Sequence, residues 1–309
     1  MSKSLLLTIH RWTALVFALP LLAVIVTGLV LSFEPAFQLA GTRAHAIDAE
    51  SVIAAIRRYD PQARARGLSL DAAAQRLSLQ GPNMPDIDLA TGQPAAAKSA
   101  TSALFRWARF NHERLIGQPW LVIASTCAMV AIMSLGILMG WPRLRNSLSG
   151  WHKGAAWFGL PLILLSPLTG LCMAFGLTFQ GGPHPAAAAR PISLPDAVRS
   201  VASFRDLAQV TSIGIRGGRM MARIFEGGEL RAYAITADGM NELGANWPRS
   251  IHEGNWSAMA GTALNAVTSA ILLGLLSTGL LLWVRRKWRR PLGRRSEGQP
   301  RQAARGSLA

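Results

Sequence analysis

Four stretches of the chain are almost wholly apolar and contain no charged residue: Thr13–Phe33, Pro119–Trp141, Gly154–Phe179 and Asn255–Val284. A helix needs about 20 such residues to cross the hydrocarbon core of a bilayer, and each stretch is long enough. The pattern predicts four membrane-spanning helices. Between them the periodicity changes. Ala49–Tyr59 and Leu194–Phe204 show helical spacing of apolar residues, whereas Leu68–Leu70, Leu77–Leu79, Thr211–Ile215, Met220–Phe225 and Leu230–Ile235 read as strands. Asp88–Gly92 and Asp238-Gly239 read as turns, and Gly217-Gly218 and Gly227-Gly228 as hairpin loops. The expected fold class is an α-helical membrane protein, a four-helix transmembrane bundle carrying two small α+β external modules. The expected segments are 1–36 for the first transmembrane helix, 37–111 for the first external module, 112–142 for the second helix and 143–151 for a cytoplasmic link. The third helix is expected at 152–179, the second module at 180–251, the fourth helix at 252–286 and a basic cytoplasmic tail at 287–309.

Half of the residues are apolar, yet the formal net charge is +16. The two coexist because charge and apolar residues are segregated along the chain, which excludes an ordinary soluble enzyme. A disulfide scaffold is excluded too, because the only cysteines, Cys127 and Cys172, lie inside apolar stretches and read as small buried residues. Lys3 and Arg11, then Arg143, Arg145 and Lys153, then Arg285, Arg286, Lys287, Arg289 and Arg290 fall on one side of a four-span topology. Clustered Lys and Arg near span ends mark the cytoplasmic side, so both termini are expected there, with 37–117 and 180–254 outside. The basic tail reads as a topology anchor that favours anionic lipid heads, with no nucleic-acid partner. Ala44-His45-Ala46 resembles a signal-peptidase site, but it lies well beyond an apolar run too long for a signal peptide, so the first span is expected to be retained.

The chain also aligns with itself. Thr27-Gly28 follows His10 at the spacing at which Thr169-Gly170 follows His152, and Pro20 and Pro161 sit in between. His112-Glu113 precedes the second span and His252-Glu253 the fourth; these spans run on to Gly136, Trp141 and Arg143, and to Thr278-Gly279, Trp283 and Arg285. Two parallel copies of one unit imply a bundle with pseudo-twofold symmetry about the membrane normal. Of the six histidines, His45 and His184 fall outside the repeat and read as solvated loop residues. The other four sort by side: His10 and His152 at the cytoplasmic face, His112 and His252 at the external face. One interfacial histidine is ordinarily a polar group reaching for water. Two per face, from different helices, are what bis-histidine ligation of haem iron requires. Two b-type haems, one near each membrane face, are therefore expected, with these four residues as axial ligands.

Gly28 and Gly170 are expected level with the external pair, and Gly136 and Gly279 level with the cytoplasmic pair. They fit either room for a porphyrin or close helix packing. Glu34, Glu113 and Glu253 stand at the external edge, to hold a ligand imidazole or cap a helix. Arg106, Arg109, Arg114 and Arg249 near that face fit attraction of an anionic substrate equally with ordinary surface charge. No nucleotide-binding glycine loop is present, and uncharged spans argue against a proton-coupled transporter. Trp12, Trp120, Trp141, Trp151, Trp157, Trp256 and Trp283 at span ends fit aromatic belts.

The stretches "HRWTALVFALPLLAVIVTGLVLSF" and "WHKGAAWFGLPLILLSPLTGLCMAF" resemble the His…Pro…Thr-Gly helix of the PepSY-associated transmembrane family. "NHERLIGQPWLVIASTCAMVAIMSLGILMGWPR" and "HEGNWSAMAGTALNAVTSAILLGLLSTGLLLWVRRK" are similar to its second helix type, and "IDLATGQP" to the turn of its PepSY modules. The resemblance covers nearly the whole chain to about Arg290. It departs at Ser134-Leu135-Gly136, where a Thr-Gly pair is expected, and in short, degenerate external modules. The family includes inner-membrane ferric-siderophore reductases. The resemblance thus implies a bacterial inner-membrane oxidoreductase for iron uptake. It would pass electrons from a cytoplasmic donor to a ferric siderophore or other ferric chelate outside, with His10 and His152 at the inner haem and His112 and His252 at the outer one. The other reading is a haem-free PepSY membrane protein that binds or regulates a periplasmic protein.

Overall fold

The computed structural model describes residues 2–42, 47–95, 100–142, 145–180, 192–236 and 239–288. Outside them lie His45, His184, the Ala44–Ala46 stretch, Arg143, Asp238 and the tail from residue 289.

The first helical run is α1 (Lys3–Val16), α2 (Ala18–Ser32) and α3 (Glu34–Thr42), interrupted at Phe17 and Phe33. Ser2 caps α1, accepting from the Leu5 amide. Pro20 has no amide hydrogen and its ring crowds the Val16 carbonyl, which accounts for the break at Phe17. Later come α4 (Ala49–Tyr59), α5 (Ala100–Glu113) and α6 (Pro119–Leu138), then α7 (Leu148–Phe158) and α8 (Leu160–Ala174). The break between α7 and α8 at Gly159 precedes Pro161, the same device in the repeat, and the two halves are bent by 63°. α9 (Leu194–Phe204), α10 (Trp247–Glu253) and α11 (Ala258–Trp288) complete the helices.

Three helical stretches are long and apolar enough to cross a membrane: Ala18–Gly41, Pro119–Leu138 and Ala258–Trp288. The bent α7–α8 pair makes a fourth if it is one span. The first of these stretches begins at Ala18, after the break at Phe17. The other two begin at α6 and α11, so that His112 and His252 ride on separate helices ahead of them. Leu21 and Ile25 of α2, Met129 of α6, Ile163 of α8 and Leu272 of α11 bury one another in a common cluster.

The segments between helices form one antiparallel sheet, not two modules. Its strands are β1 (Gly67–Asp71), β2 (Arg76–Leu79), β3 (Asp86–Asp88), β4 (Gln93–Pro94), β5 (Val210–Arg216), β6 (Arg219–Glu226), β7 (Glu229–Thr236) and β8 (Gly239–Glu242). They run in the order β4-β3-β2-β1-β5-β6-β7-β8. The seam is β1 against β5, with Leu68 opposite Ile213 and Ser69 opposite Ser212. The strands of the first segment are too short to bury a core alone, and small domains gain little from their own surface. Joined, both segments share one core: Val52, Ile53 and Ile56 of α4 and Val198 and Val201 of α9 cover Leu68, Leu77, Ile213 and Ile224.

Asp48 and Ser193 cap α4 and α9 by accepting from the Ser51 and Asp196 amides. The two Gly-Gly loops have positive φ throughout, as two-residue hairpins require. The sheet is clipped to the helices beside the second of these loops: the Ala258 amide donates to the Gly228 carbonyl (2.7 Å) and the Leu230 amide to the Asn255 carbonyl (2.9 Å).

Candidate histidine site

After α5 the chain reverses through Ile116 at φ 53, and after α10 through Gly254 at φ 72. Gly254 caps α10 directly, whereas Ile116 lies in the turn just beyond the end of α5; the last turns of the two helices lie against α2 and α8. Each last turn carries a histidine. The His112 and His252 rings face each other with centroids 5.9 Å apart and planes at 42°. Two imidazoles bonded in line to one metal, at about 2 Å per bond, hold their ring centres about 6 Å apart.

The surroundings of the two rings are the same on both sides of the repeat. His112 Nδ1 lies 3.0 Å from the Val24 carbonyl oxygen and 3.3 Å from Thr27 Oγ1. His252 Nδ1 lies 3.0 Å from the Ser166 carbonyl oxygen and 3.2 Å from Thr169 Oγ1. A carbonyl only accepts, so in both rings Nδ1 carries the proton and donates, which leaves the Nε2 lone pair free. The threonine hydroxyls already donate to their own helix, Thr27 to the Ala23 carbonyl (2.7 Å) and Thr169 to the Leu165 carbonyl (2.8 Å), so toward the rings they too accept. A ligating histidine is typically oriented by such a bond from its second nitrogen.

At the far end of the helices His10 Nδ1 donates to the Ile132 carbonyl of α6 (3.0 Å). His152 Nδ1 donates to Thr278 Oγ1 of α11 (2.8 Å), whose own proton goes to the Gly274 carbonyl (2.7 Å). His10 and His152 are close enough to interact electrostatically. The structure therefore sets His112 against His252 and leaves His10 and His152 within electrostatic range of each other.

The glycines sort less evenly. A Cβ on Gly28 would stand 3.1 Å from His112 Cε1, one on Gly170 3.1 Å from His252 Cε1, and one on Gly279 3.5 Å from His152 Cε1. These three seat an imidazole. Gly136 has nothing within 4 Å of its Cβ position, so it is not brought against His10 as the repeat implied. Gly28→Val should therefore cost about 1–3 kcal/mol by overpacking, seen as a lowered melting temperature in detergent, whereas Gly136→Ala should be close to neutral.

The acidic residues at this end hold arginines, not imidazoles. Glu34 pairs with Arg109, which also approaches Glu113 (3.7 Å). Glu253 takes Arg249 (3.1 Å) and Arg223 of β6 (3.5 Å). Burial pushes the Arg223 guanidinium below its ordinary range, against the opposing pull of Glu253. Arg109 and Arg249, read equally as docking charges or as ordinary surface charge, are already paired, while Arg106 and Arg114 are exposed. Sequence reasoning missed Arg223, which the central position of β6 between β5 and β7 delivers to α10, and the carbonyls of Val24, Ser166 and Ile132, which no side chain announces.

Among the described residues no three His, Cys, Asp or Glu side chains cluster as a metal site. No curated protein matches the chain. Residues 7–286 match a family described as the PepSY-associated TM region. With that match over nearly all of its length, the chain belongs to the PepSY-associated transmembrane family.

Proposed function

We propose that the protein is a bacterial inner-membrane di-haem reductase, a four-helix bundle of two repeats with both termini in the cytoplasm. It passes electrons from a cytoplasmic donor to ferric iron outside, held by a siderophore or another ferric chelate, for iron uptake. The observation that carries this reading is the facing of His112 and His252 at 5.9 Å, each with Nδ1 tied to a backbone carbonyl. The donor set fits the group: two neutral imidazoles alone leave a metal ion under-coordinated, whereas a porphyrin brings the remaining ligands with it. His112 and His252 would hold one haem, and His10 and His152 the other. When bound, the haems supply one-electron exchange at iron.

The chain's own residues do the rest. The Nδ1–H bonds fix the imidazole tautomer and ring direction. Gly28 and Gly170 let the rings lie close against α2 and α8. The sheet, joined to α10 through Arg223 and Glu253, is the surface that meets an incoming chelate. Reduction loosens a hard-oxygen chelate because Fe(II) is less charged and softer than Fe(III).

The test is the visible spectrum of the purified protein, followed by anaerobic mixing of the dithionite-reduced form with a panel of ferric chelates. Sharp bands that appear on reduction and are bleached by a chelate support the reading. A protein without visible absorbance leaves the haem-free PepSY alternative.

A further inference from the structure

The four histidines are not equally furnished. Three of them bond a threonine hydroxyl and rest against a glycine; His10 does neither, since Leu135 stands where the repeat has Thr278 and Gly136 faces open space. Beside His10 is a second irregularity. Arg11 Nε is buried and has no hydrogen-bond partner, and among the described residues Arg11 makes no ion pair. A buried guanidinium N–H left without an acceptor keeps its full desolvation cost, so an acceptor belongs there.

The repeat sharpens the point. Lys153 follows His152 as Arg11 follows His10, whereas glutamates follow His112 and His252. The arginines of the sheet-side couple, Arg109 and Arg249, are matched by protein carboxylates. The cations of the far couple are matched by none among the described residues.

Building on the di-haem reading, we propose that Arg11 is a carboxylate anchor: it binds a propionate of the porphyrin held between His10 and His152, with Lys153 placed to serve the second. A guanidinium matches a carboxylate in shape and charge, and the paired form is stronger than a neutral hydrogen bond. The far site is thus completed by its ligand, and the sheet-side site by the protein.

The test uses the purified full-length chain and its Arg11→Leu and Arg11→Lys variants. Haem content per chain is measured, together with the rate at which haem is lost to excess apomyoglobin. Arg11→Leu is expected to release one of the two haems about tenfold faster or more, the other remaining at the wild-type rate. Arg11→Lys is expected to restore most of the retention. Wild-type release of both haems from Arg11→Leu overturns the proposal while the di-haem reading stands. Loss of both haems that Arg11→Lys does not rescue marks a structural role and overturns it as well. A wild-type protein without haem removes the proposal and the reading together.

Discussion

His112→Ala is expected to remove about half of the reducible b-type absorbance and essentially all ferric-chelate reduction. The two couples lie at opposite ends of the helices, so losing one ring leaves the His10/His152 site intact and its bands remain. On the di-haem reading activity should fall much further than absorbance, because the sites would work in series and the lost one would face the acceptor. His252→Ala should reproduce the result, since His252 has the same carbonyl and threonine partners one repeat later. His10→Ala should remove the complementary half. Difference spectra normalised to protein, with chelate reduction followed on the same samples, check all three. A His112→Ala protein with an unchanged spectrum would return that ring to ordinary packing.

The second large effect concerns the sheet. Ile213→Asp should unfold the whole sheet while the helices stay in the membrane. Ile213 is fully buried at the seam, opposite Leu68. Burying an unpaired carboxylate there costs several kcal/mol, comparable with the total stability of about 5–15 kcal/mol typical of a domain. Both segments share the core, so both should fail at once. Limited proteolysis in liposomes reads this out: cleavage is expected within residues 47–95 as well as 192–236, with α6 and α11 protected. Cleavage confined to the second segment would mean that the halves fold independently.

Local features were the most legible in the sequence. The helical spacing over Ala49–Tyr59 and Leu194–Phe204 matches α4 and α9, and the Gly-Gly loops announce the hairpins around β6. The approach of His112 to His252 was also readable, because identical spacings of His, Pro and Thr-Gly recur. Three things were not. The bend at Pro161 and the break at Pro20 depend on how much neighbouring helices let a proline distort. The separation of His112 from α6 rests on Ile116 adopting a left-handed conformation, which a β-branched residue advertises least. The seam joins strands far apart in the chain, and alternating apolar residues specify which face is buried but not which edge is met.

That seam has a consequence for biogenesis. β1 leaves the ribosome long before β5, and two apolar helical stretches must be threaded into the bilayer in the interval. Until then its free edge and the underside of α4 have no partner, a state that invites pairing with the wrong chain. Newly made protein should therefore depend on a holding chaperone during that delay, and a chain truncated before β5 should be degraded rather than accumulate as a half-sized protein.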